Sequence, residues 1–346
     1  MLAGQSRAAL ADIVAAHGAP RFRAAQIGDW IFGKFELEID KMANLPAALR
    51  AALAAEFTSP SSRLVRVEPS GDGTEKLLLE LFDGERIEMV IIPTPDRMTF
   101  CLSTQVGCPV GCLFCASGAD GLVRNLTRGE ILEELLFGAR RIGRLPDNIV
   151  FMGIGEGLLN FAELAAAIDL IIAPDGFGLS PRRLTVSTSG VVPGIRKLAE
   201  LGRELNLAIS LHAVSDAVRA KLMPGPIRYP VAEIMAAADE YREKAGRMVT
   251  LEYTLLAGVN DAADDAAALG KLAKAHHAKV NLIPYNEGGG SFRRPPERTI
   301  ERFFAAVEKT GATVTLRRER GGAQAAACGQ LRRTTRPPAA GDGDGD

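Results

Sequence analysis

The sequence has no stretch approaching the roughly 18 uninterrupted apolar residues of a membrane span, so no membrane association is expected. It has no excess of one charge. Lys and Arg number 41 against 42 Asp and Glu, a net charge of −1, which excludes a global basic footprint for nucleic acid. Its opening residues, 1–18, lack a basic segment, an apolar run and a small-residue cleavage site, so secretion is not expected. Cysteine is scarce and odd in number, five in 346 residues, which is not a disulfide framework. A content of 47% hydrophobic and 24% charged residues excludes collagen-like, coiled-coil and wholly disordered classes. A cytoplasmic protein with a large core is expected.

The length suits one large domain and a smaller one. Residues from about 5 to 56 show helical periodicity, with apolar positions three and four apart through Ala24–Phe35 and Leu45–Phe57. Strand-like runs follow at Leu64–Val67, Lys76–Phe82 and Arg86–Ile92, separated by Ser70-Gly71-Asp72-Gly73 and Asp83-Gly84 turns. Pro93–Asp96 reads as a link, so residues 1–95 form an accessory α+β unit and 96–331 the main domain. There, short apolar strands alternate with helical stretches: Phe100–Val106, Asn148–Gly153, Leu184–Thr188, Leu207–His212, Val249–Thr254 and Lys279–Tyr285. Thr127-Arg128-Gly129-Glu130 is a capping box ahead of the first helix. Six βα units imply a parallel sheet, doubly wound or curled into a partial barrel. No Gly-rich dinucleotide fingerprint follows the first strand, which counts against the doubly wound form. A last strand, Thr313–Arg318, precedes the Cys328 segment, and the Pro-, Ala- and Gly-Asp-rich end, 332–346, reads as disordered.

Three cysteines sit in Cys108-Pro109-Val110-Gly111-Cys112-Leu113-Phe114-Cys115, directly after the first strand of this series. Three thiolates on one tight loop are soft ligands suited to iron–sulfur or zinc. Structural zinc takes four ligands, usually as paired C-x2-C units; this loop offers three, and only Cys101 could complete a zinc knuckle. A cubane held by three cysteines leaves one iron open to a small molecule. From Arg293 to Arg336, ten Arg and Lys309 face four Glu, a local balance of +7. Such a stretch could grip phosphates or be a solvated face.

The C-x3-C-x2-C loop resembles the signature of the radical S-adenosylmethionine (SAM) superfamily. With Cys101 seven residues upstream, Gly153-Ile154-Gly155-Glu156, Ser187-Thr188-Ser189-Gly190, Ser210-Leu211-His212, Asn286 and Ala326-Ala327-Cys328-Gly329-Gln330-Leu331, the set resembles the RlmN/Cfr family of radical SAM RNA methyltransferases from about Phe22 to Leu331. Each motif falls at the carboxyl end of an expected strand, the face on which barrel enzymes build their sites. The serines and the Gly-Glu pair, taken singly, could equally be caps and turns.

The resemblance implies an incomplete (β/α)6 barrel, one [4Fe–4S] cluster on Cys108, Cys112 and Cys115, and two SAM molecules per turnover. It places SAM against Gly155, Glu156, Ser187, Ser210, Leu211, His212 and Asn286, with His212 shaping the pocket rather than acting as an acid. It implies methylation of an adenine carbon, C-2 in 23S rRNA and in tRNA, through a methyl group carried on Cys328, released by Cys101 through a disulfide, with Glu88 as the base. An electron donor such as flavodoxin or ferredoxin follows from the same chemistry. The antibiotic-resistance branch methylates C-8 instead, and no residue here separates the two. A non-catalytic metal-containing RNA-binding protein is the reading from another class. Glu88 could also be an exposed strand charge, and Cys328 a buried filler. The sequence departs from the family at Gly157, where Pro is usual, at Val214, around Pro224-Gly225-Pro226-Ile227, and at Ala323-Gln324-Ala325-Ala326-Ala327, where two aspartates are usual. These departures suggest a paralogue.

Overall fold

The computed structural model of the protein describes residues 1–286, 291–317 and 330–331. Cys328, Arg318 and the 332–346 tail lie outside the described residues.

Helices α1 (Arg7–Ala16), α2 (Phe22–Gly28) and α3 (Ala47–Glu56) open the chain. Ser6 caps α1, its hydroxyl accepting from the Ala9 N–H at 3.1 Å, which satisfies one of the orphan donors of a helix start. The helical periodicity around Ile31 is realised as a π-helical turn, Asp29–Gly33, following α2. Leu10, Val14, Ile27, Ile31, Leu49 and Leu53 of this region are buried in the main core.

The alternating stretches form β1 (Arg63–Pro69), β2 (Glu75–Glu80) and β3 (Arg86–Thr94), an antiparallel meander. β3 then pairs antiparallel with β4 (Arg97–Cys101). The expected link Pro93–Asp96 is therefore the end of β3 and a tight turn inside one sheet. The expected strand Phe100–Val106 is broken: β4 stops at Cys101, and β5 (Gln105–Gly107) pairs instead with β6 (Leu122–Asn125) in a separate ribbon. The break is polar. The Ser103 N–H donates to both oxygens of Glu134, at 2.9 and 3.1 Å, while the Ser103 hydroxyl donates to the Glu88 carbonyl at 2.8 Å. Those bonds replace the ladder.

Beyond β4 the strands β7 (Asn148–Phe151), β8 (Leu184–Thr188), β9 (Asn206–Ser210), β10 (Thr250–Leu255), β11 (Lys279–Pro284) and β12 (Val314–Leu316) add in chain order, all parallel. Helices alternate with them: α4 (Arg128–Ile142), α5 (Phe161–Ile172), α6 (Val192–Glu200), α7 (Asp216–Leu222), α8 (Val231–Ala245), α9 (Ala263–Ala275) and α10 (Glu297–Lys309). The ten-stranded sheet runs from β1 to β12 without closing on itself. It is an incomplete (β/α)6 barrel, β4 and β7–β11, extended by β12 at one edge and the meander at the other. Among the described residues, no helix is long and apolar enough to cross a membrane.

The α4 capping box is present: the Thr127 hydroxyl accepts from the Glu130 N–H, and Glu130 accepts from the Thr127 N–H at 2.9 Å. One turn later Glu133 is fully buried, accepting from the Ser61 N–H (2.8 Å), the Ser61 hydroxyl (2.9 Å) and the Ser62 N–H (2.8 Å). This carboxylate ties the start of the meander to α4. Replacing it with Ala should lower unfolding stability by roughly 1–3 kcal/mol for each donor left unsatisfied. Glu133→Gln, which keeps one acceptor, should lose less. Urea midpoints check this, and a parental midpoint in Glu133→Ala would count against the tie.

Candidate active site

The carboxyl ends of parallel strands share one face, where the loops that follow them converge. A cleft partly open to solvent lies there. It brings together Cys101 from the end of β4, Cys108, Cys112 and Cys115 from the following loop, and Gly155 and Glu156 after β7. Ser187 of β8, Ser210 and His212 at the end of β9, and Asn286 after β11 complete the expected set within it. Leu211 is not in the lining. Its side chain is fully buried in the main core, and its N–H donates to the Glu252 carbonyl at 3.0 Å, closing the strand end. Glu88 stands outside the lining too, and it is no exposed strand charge: it is 1% exposed, with Lys76 Nζ at 2.9 Å. Cys328 lies outside the described residues.

The three-cysteine loop is held at both ends by backbone bonds. Cys108 N–H donates to the Gly121 carbonyl at 2.9 Å, and Leu113 N–H to the Leu222 carbonyl at 2.9 Å. Gly107 sits at φ +76° with no room for a Cβ against the Gly121 carbonyl, so only glycine lets the chain turn into the loop there. Burial pushes the Cys108 thiol up to about 12 and the Cys112 thiol well above its ordinary value, with neighbouring cysteines and Glu156 adding to both. Three cysteines gathered on one cleft, two of them kept from ionising by burial, are a donor set that a cationic centre completes, because coordination deprotonates a thiol outright. The residues fit an iron–sulfur cluster, with cleft space beside it for a small molecule.

Gly155 has φ +111°, and a Cβ there would lie 2.6 Å from Gln105 Cβ. Glycine thus lets the loop after β7 lie against β5, where Gln105 Oε1 accepts the Glu156 N–H at 2.8 Å. The Glu156 carboxylate accepts from the Ser189 N–H at 2.6 Å and the Leu158 N–H at 3.2 Å, joining the loops after β7 and β8. Burial raises its carboxyl above the usual range, and the Ser189 bonds oppose the rise.

His212 occupies a left-handed conformation, φ +56°. Its Nδ1 accepts from the Thr254 N–H at 3.0 Å, which assigns the ring proton to Nε2. The ring packs edge-on against Phe114, centroids 4.8 Å apart. Burial, aided by the Arg219 charge, lowers its pKa to about 3. The ring is a neutral wall between the cysteine loop and β10, not an acid.

Two lining residues escape the sequence reading. Glu252 is buried in the cleft wall, accepting from Asn281 Nδ2 at 2.7 Å, and the Arg317 charge acts on it. Its signal is legible in retrospect, since it is the one charged residue in the strand Thr250–Leu255. Arg317 counts in the sequence only as part of a basic stretch; the structure puts it in the cleft.

A parallel incomplete barrel with three cysteines on the loop after its first strand defines a radical SAM enzyme, and residues 102–269 match the radical SAM superfamily. Residues 1–58 match the ribosomal RNA large subunit methyltransferase N-terminal domain. The dual-specificity RNA methyltransferase RlmN of Anaeromyxobacter sp. is 45% identical over 332 residues, covering 93% of this chain and 88% of its own. That of Anaeromyxobacter dehalogenans is 43% identical over 331 residues, covering 93% and 89%. The crystal structure of a radical SAM methyltransferase from Sphaerobacter thermophilus matches with a TM-score of 0.92 and 42% identity, covering 96% of this chain and 98% of that one. The chain belongs to the RlmN family of radical SAM RNA methyltransferases, and membership implies a [4Fe–4S] cluster and SAM.

The neutral His212 carries a pH signature. A folded pKa of about 3 against an ordinary 6.5 means that the unfolded chain takes up this proton first as pH falls. The stability is present above about 6.5 and is lost below it, by roughly 2 kcal/mol between pH 6.5 and 5. Urea midpoints of the parent should therefore fall more steeply over that interval than those of His212→Gln. Parallel curves would remove His212 from the pH dependence.

Proposed function

We propose that the chain methylates C-2 of an adenine in RNA, in 23S rRNA and in tRNA, using a methyl group carried on Cys328. The observation that carries this reading is Cys101, a buried cysteine on a strand, outside the cysteine loop yet lining the same cleft. A radical SAM reaction on a small molecule would not need it. Leu331 packs with Cys101, Val90 and Ile154, and its carbonyl accepts from the Ser117 hydroxyl at 2.6 Å. Cys328 lies outside the described residues, three positions before Leu331 in the sequence.

In this reading Cys108, Cys112 and Cys115 hold the cluster, and Gly155, Glu156, Ser187, Ser210, His212 and Asn286 surround SAM, with Leu211 acting only through the strand end it closes. When bound, cluster and SAM supply a methyl group and a carbon-centred radical, two SAM molecules per turnover. The protein's own residues do the rest. An adenine C–H carbon is not nucleophilic, because the ring nitrogens withdraw density, so a polar methyl transfer to it fails. Cys328 carries the methyl group to the ring as a thioether, and Glu88 receives the ring proton. The Cys101 thiolate then attacks the Cys328 sulfur; the S–S bond forms as the S–C bond breaks, its electron pair goes to the former methyl carbon, which takes up a proton from water, and the methylated base leaves. That disulfide is a product of turnover; among the described residues none is present.

Residues 1–95 act in this reading as an accessory RNA-binding unit, with 96–331 as the catalytic core. The Arg293–Arg336 stretch supplies phosphate contacts. A flavodoxin or ferredoxin supplies the electron, and an odd, small number of cysteines suits a cytoplasmic location.

Two sets of variants test the proposal. Cys101→Ala should purify with RNA joined covalently through Cys328, and Cys328→Ala should carry none; mass spectrometry of the nuclease-treated proteins reads the difference. A Cys101→Ala protein that releases methylated RNA with no adduct would refute the mechanism. Separately, Cys112→Ala should lose its iron and SAM cleavage together, and full iron retention would sink the cluster assignment.

A further inference from the structure

Taking Glu88 as the base of the proposed reaction, we propose that Lys76 is its positioning residue: the buried ammonium group holds the Glu88 carboxylate ionised and fixed to receive the ring proton.

The placement follows from strand alternation. On β3, Ile87, Met89 and Ile91 pack into the main core, so Glu88, Val90 and Ile92 face the other way. That second face belongs to the cleft side, where Val90 and Ile92 meet Cys101, Val150 and Met152. Val90 stands opposite Cys101 in the β3–β4 register, and β3 runs antiparallel to β4. Glu88 is therefore one pleat nearer the carboxyl end of β4, level with Ser103, whose hydroxyl donates to its carbonyl. The candidate base and the candidate resolving thiol are neighbours at the cleft end of β4.

A carboxylate this buried is costly to ionise without a partner. Lys76, itself only 7% exposed, supplies one at 2.9 Å and touches a second carboxylate, Glu68, at 3.0 Å. Glu68 in turn meets the exposed Arg66 guanidinium at 2.5 Å. Charges alternate Glu88, Lys76, Glu68, Arg66 across β3, β2 and β1 to the sheet edge, so Lys76 is balanced on both sides. Stability alone does not account for this arrangement, because a well-packed apolar pair in place of a buried ion pair is commonly as stable or more so. What the ion pair supplies, and an apolar pair would not, is an anionic oxygen held at 2.9 Å by Lys76, one pleat along β3 from the residue that faces Cys101.

The step is a proton transfer. The C–H bond at the substituted ring carbon breaks, its electron pair stays with the ring, and the proton goes to a Glu88 oxygen. A protonated Glu88 cannot perform it. An ammonium at hydrogen-bond distance favours the ionised carboxylate. Among the described residues, the titratable groups on the elements packed around Glu88 include Lys76 on β2, Glu68 on β1 beyond it, Cys101 on β4, and Glu134 on α4 acting through Ser103; Val150 of β7 and Met152 just after it are apolar.

The test uses the full-length, cluster-loaded enzyme with SAM, dithionite and an unmodified 23S rRNA transcript, across pH 6 to 9. Lys76→Met should still form deoxyadenosine within about twofold of the parent. Its methyladenine formation at pH 7 should fall about tenfold or more, with covalent protein–RNA adduct accumulating, and the acid limb of its pH–rate profile should move up by about one unit or more. Lys76→Arg, which keeps the charge, should restore most of the rate and the parental limb. A parental pH profile in Lys76→Met overturns the proposal, as does a parallel loss of deoxyadenosine and methyladenine in both Lys76 variants. If Lys76→Met does not fold, Glu68→Gln replaces it: with Lys76 left to Glu88 alone, the acid limb should move down, and an unmoved limb overturns the proposal equally. Glu88→Gln keeps the two readings apart. If that variant methylates at the parental rate, the base assignment itself falls; if it is inactive while Lys76→Met is parental, only the role of Lys76 falls.

Discussion

The site depends on a polar node at Ser103. Its N–H is held by the Glu134 carboxylate, its hydroxyl donates to the Glu88 carbonyl, and the same hydroxyl accepts the Ile154 N–H at 2.9 Å. One residue, through its N–H and its hydroxyl, thus joins α4, β3 and the loop after β7 at the point where β4 leaves the sheet. Burial drives the Glu134 carboxyl far above its usual range, partly offset by the Ser103 N–H. The desolvation cost of such a group is tolerated only where its bonds are satisfied. Everything downstream of Ser103 inherits this anchor: the cysteine loop five residues on, and the Gly153–Glu156 turn that packs against it.

From that node two kinds of face diverge. The helix side of the sheet is a continuous apolar core, and the cleft side is a small apolar patch around Cys101 ringed by polar strand ends. Most buried ionisable groups of the site, Glu88, Glu156, His212 and Glu252, belong to the cleft side, each bound to a neighbouring element. Glu156 links the loops after β7 and β8, His212 links β9 to β10, and Glu252 links β10 to β11 through Asn281. The cleft wall is therefore stitched strand to strand by polar bonds. Rigid polar lining of this kind positions a ligand without large rearrangement.

How much of this the sequence disclosed follows from the range of the forces involved. Period-two alternation is local, so β1–β3 and the parallel strands were legible within a residue or two, as was the capping box of α4. The break after Cys101 was not, because the acceptor that ends the strand, Glu134, is 31 residues away from Ser103. The same limit hid the surroundings of Glu88: an acidic residue on an alternating strand reads as solvent-facing until Lys76 is seen beside it. Glu252 was missed although its signal is local, a lone charge among apolar neighbours. The motif residues gathered as expected because each terminates a strand of one parallel sheet. Leu211 did not, since in a stretch leaving a strand its side chain points back to the core.

The departures from the family pattern are themselves accounted for by packing. Gly157, where proline is usual, begins a short 3-10 turn capped by the Glu156 side chain. A Cβ there would sit 3.0 Å from Leu164 Cδ2, so in this chain glycine lets α5 approach the turn more closely. The altered turn at Pro224-Gly225 lies against the cysteine loop: the Gly225 N–H donates to the Val110 carbonyl at 3.2 Å, and a Cβ at 225 would collide with that carbonyl. Val214, in place of another proline, packs against the main core. At these positions the chain's own residues support the cysteine loop and the Glu156 turn through close backbone approach and core packing, beside the cleft's thiols and polar strand ends.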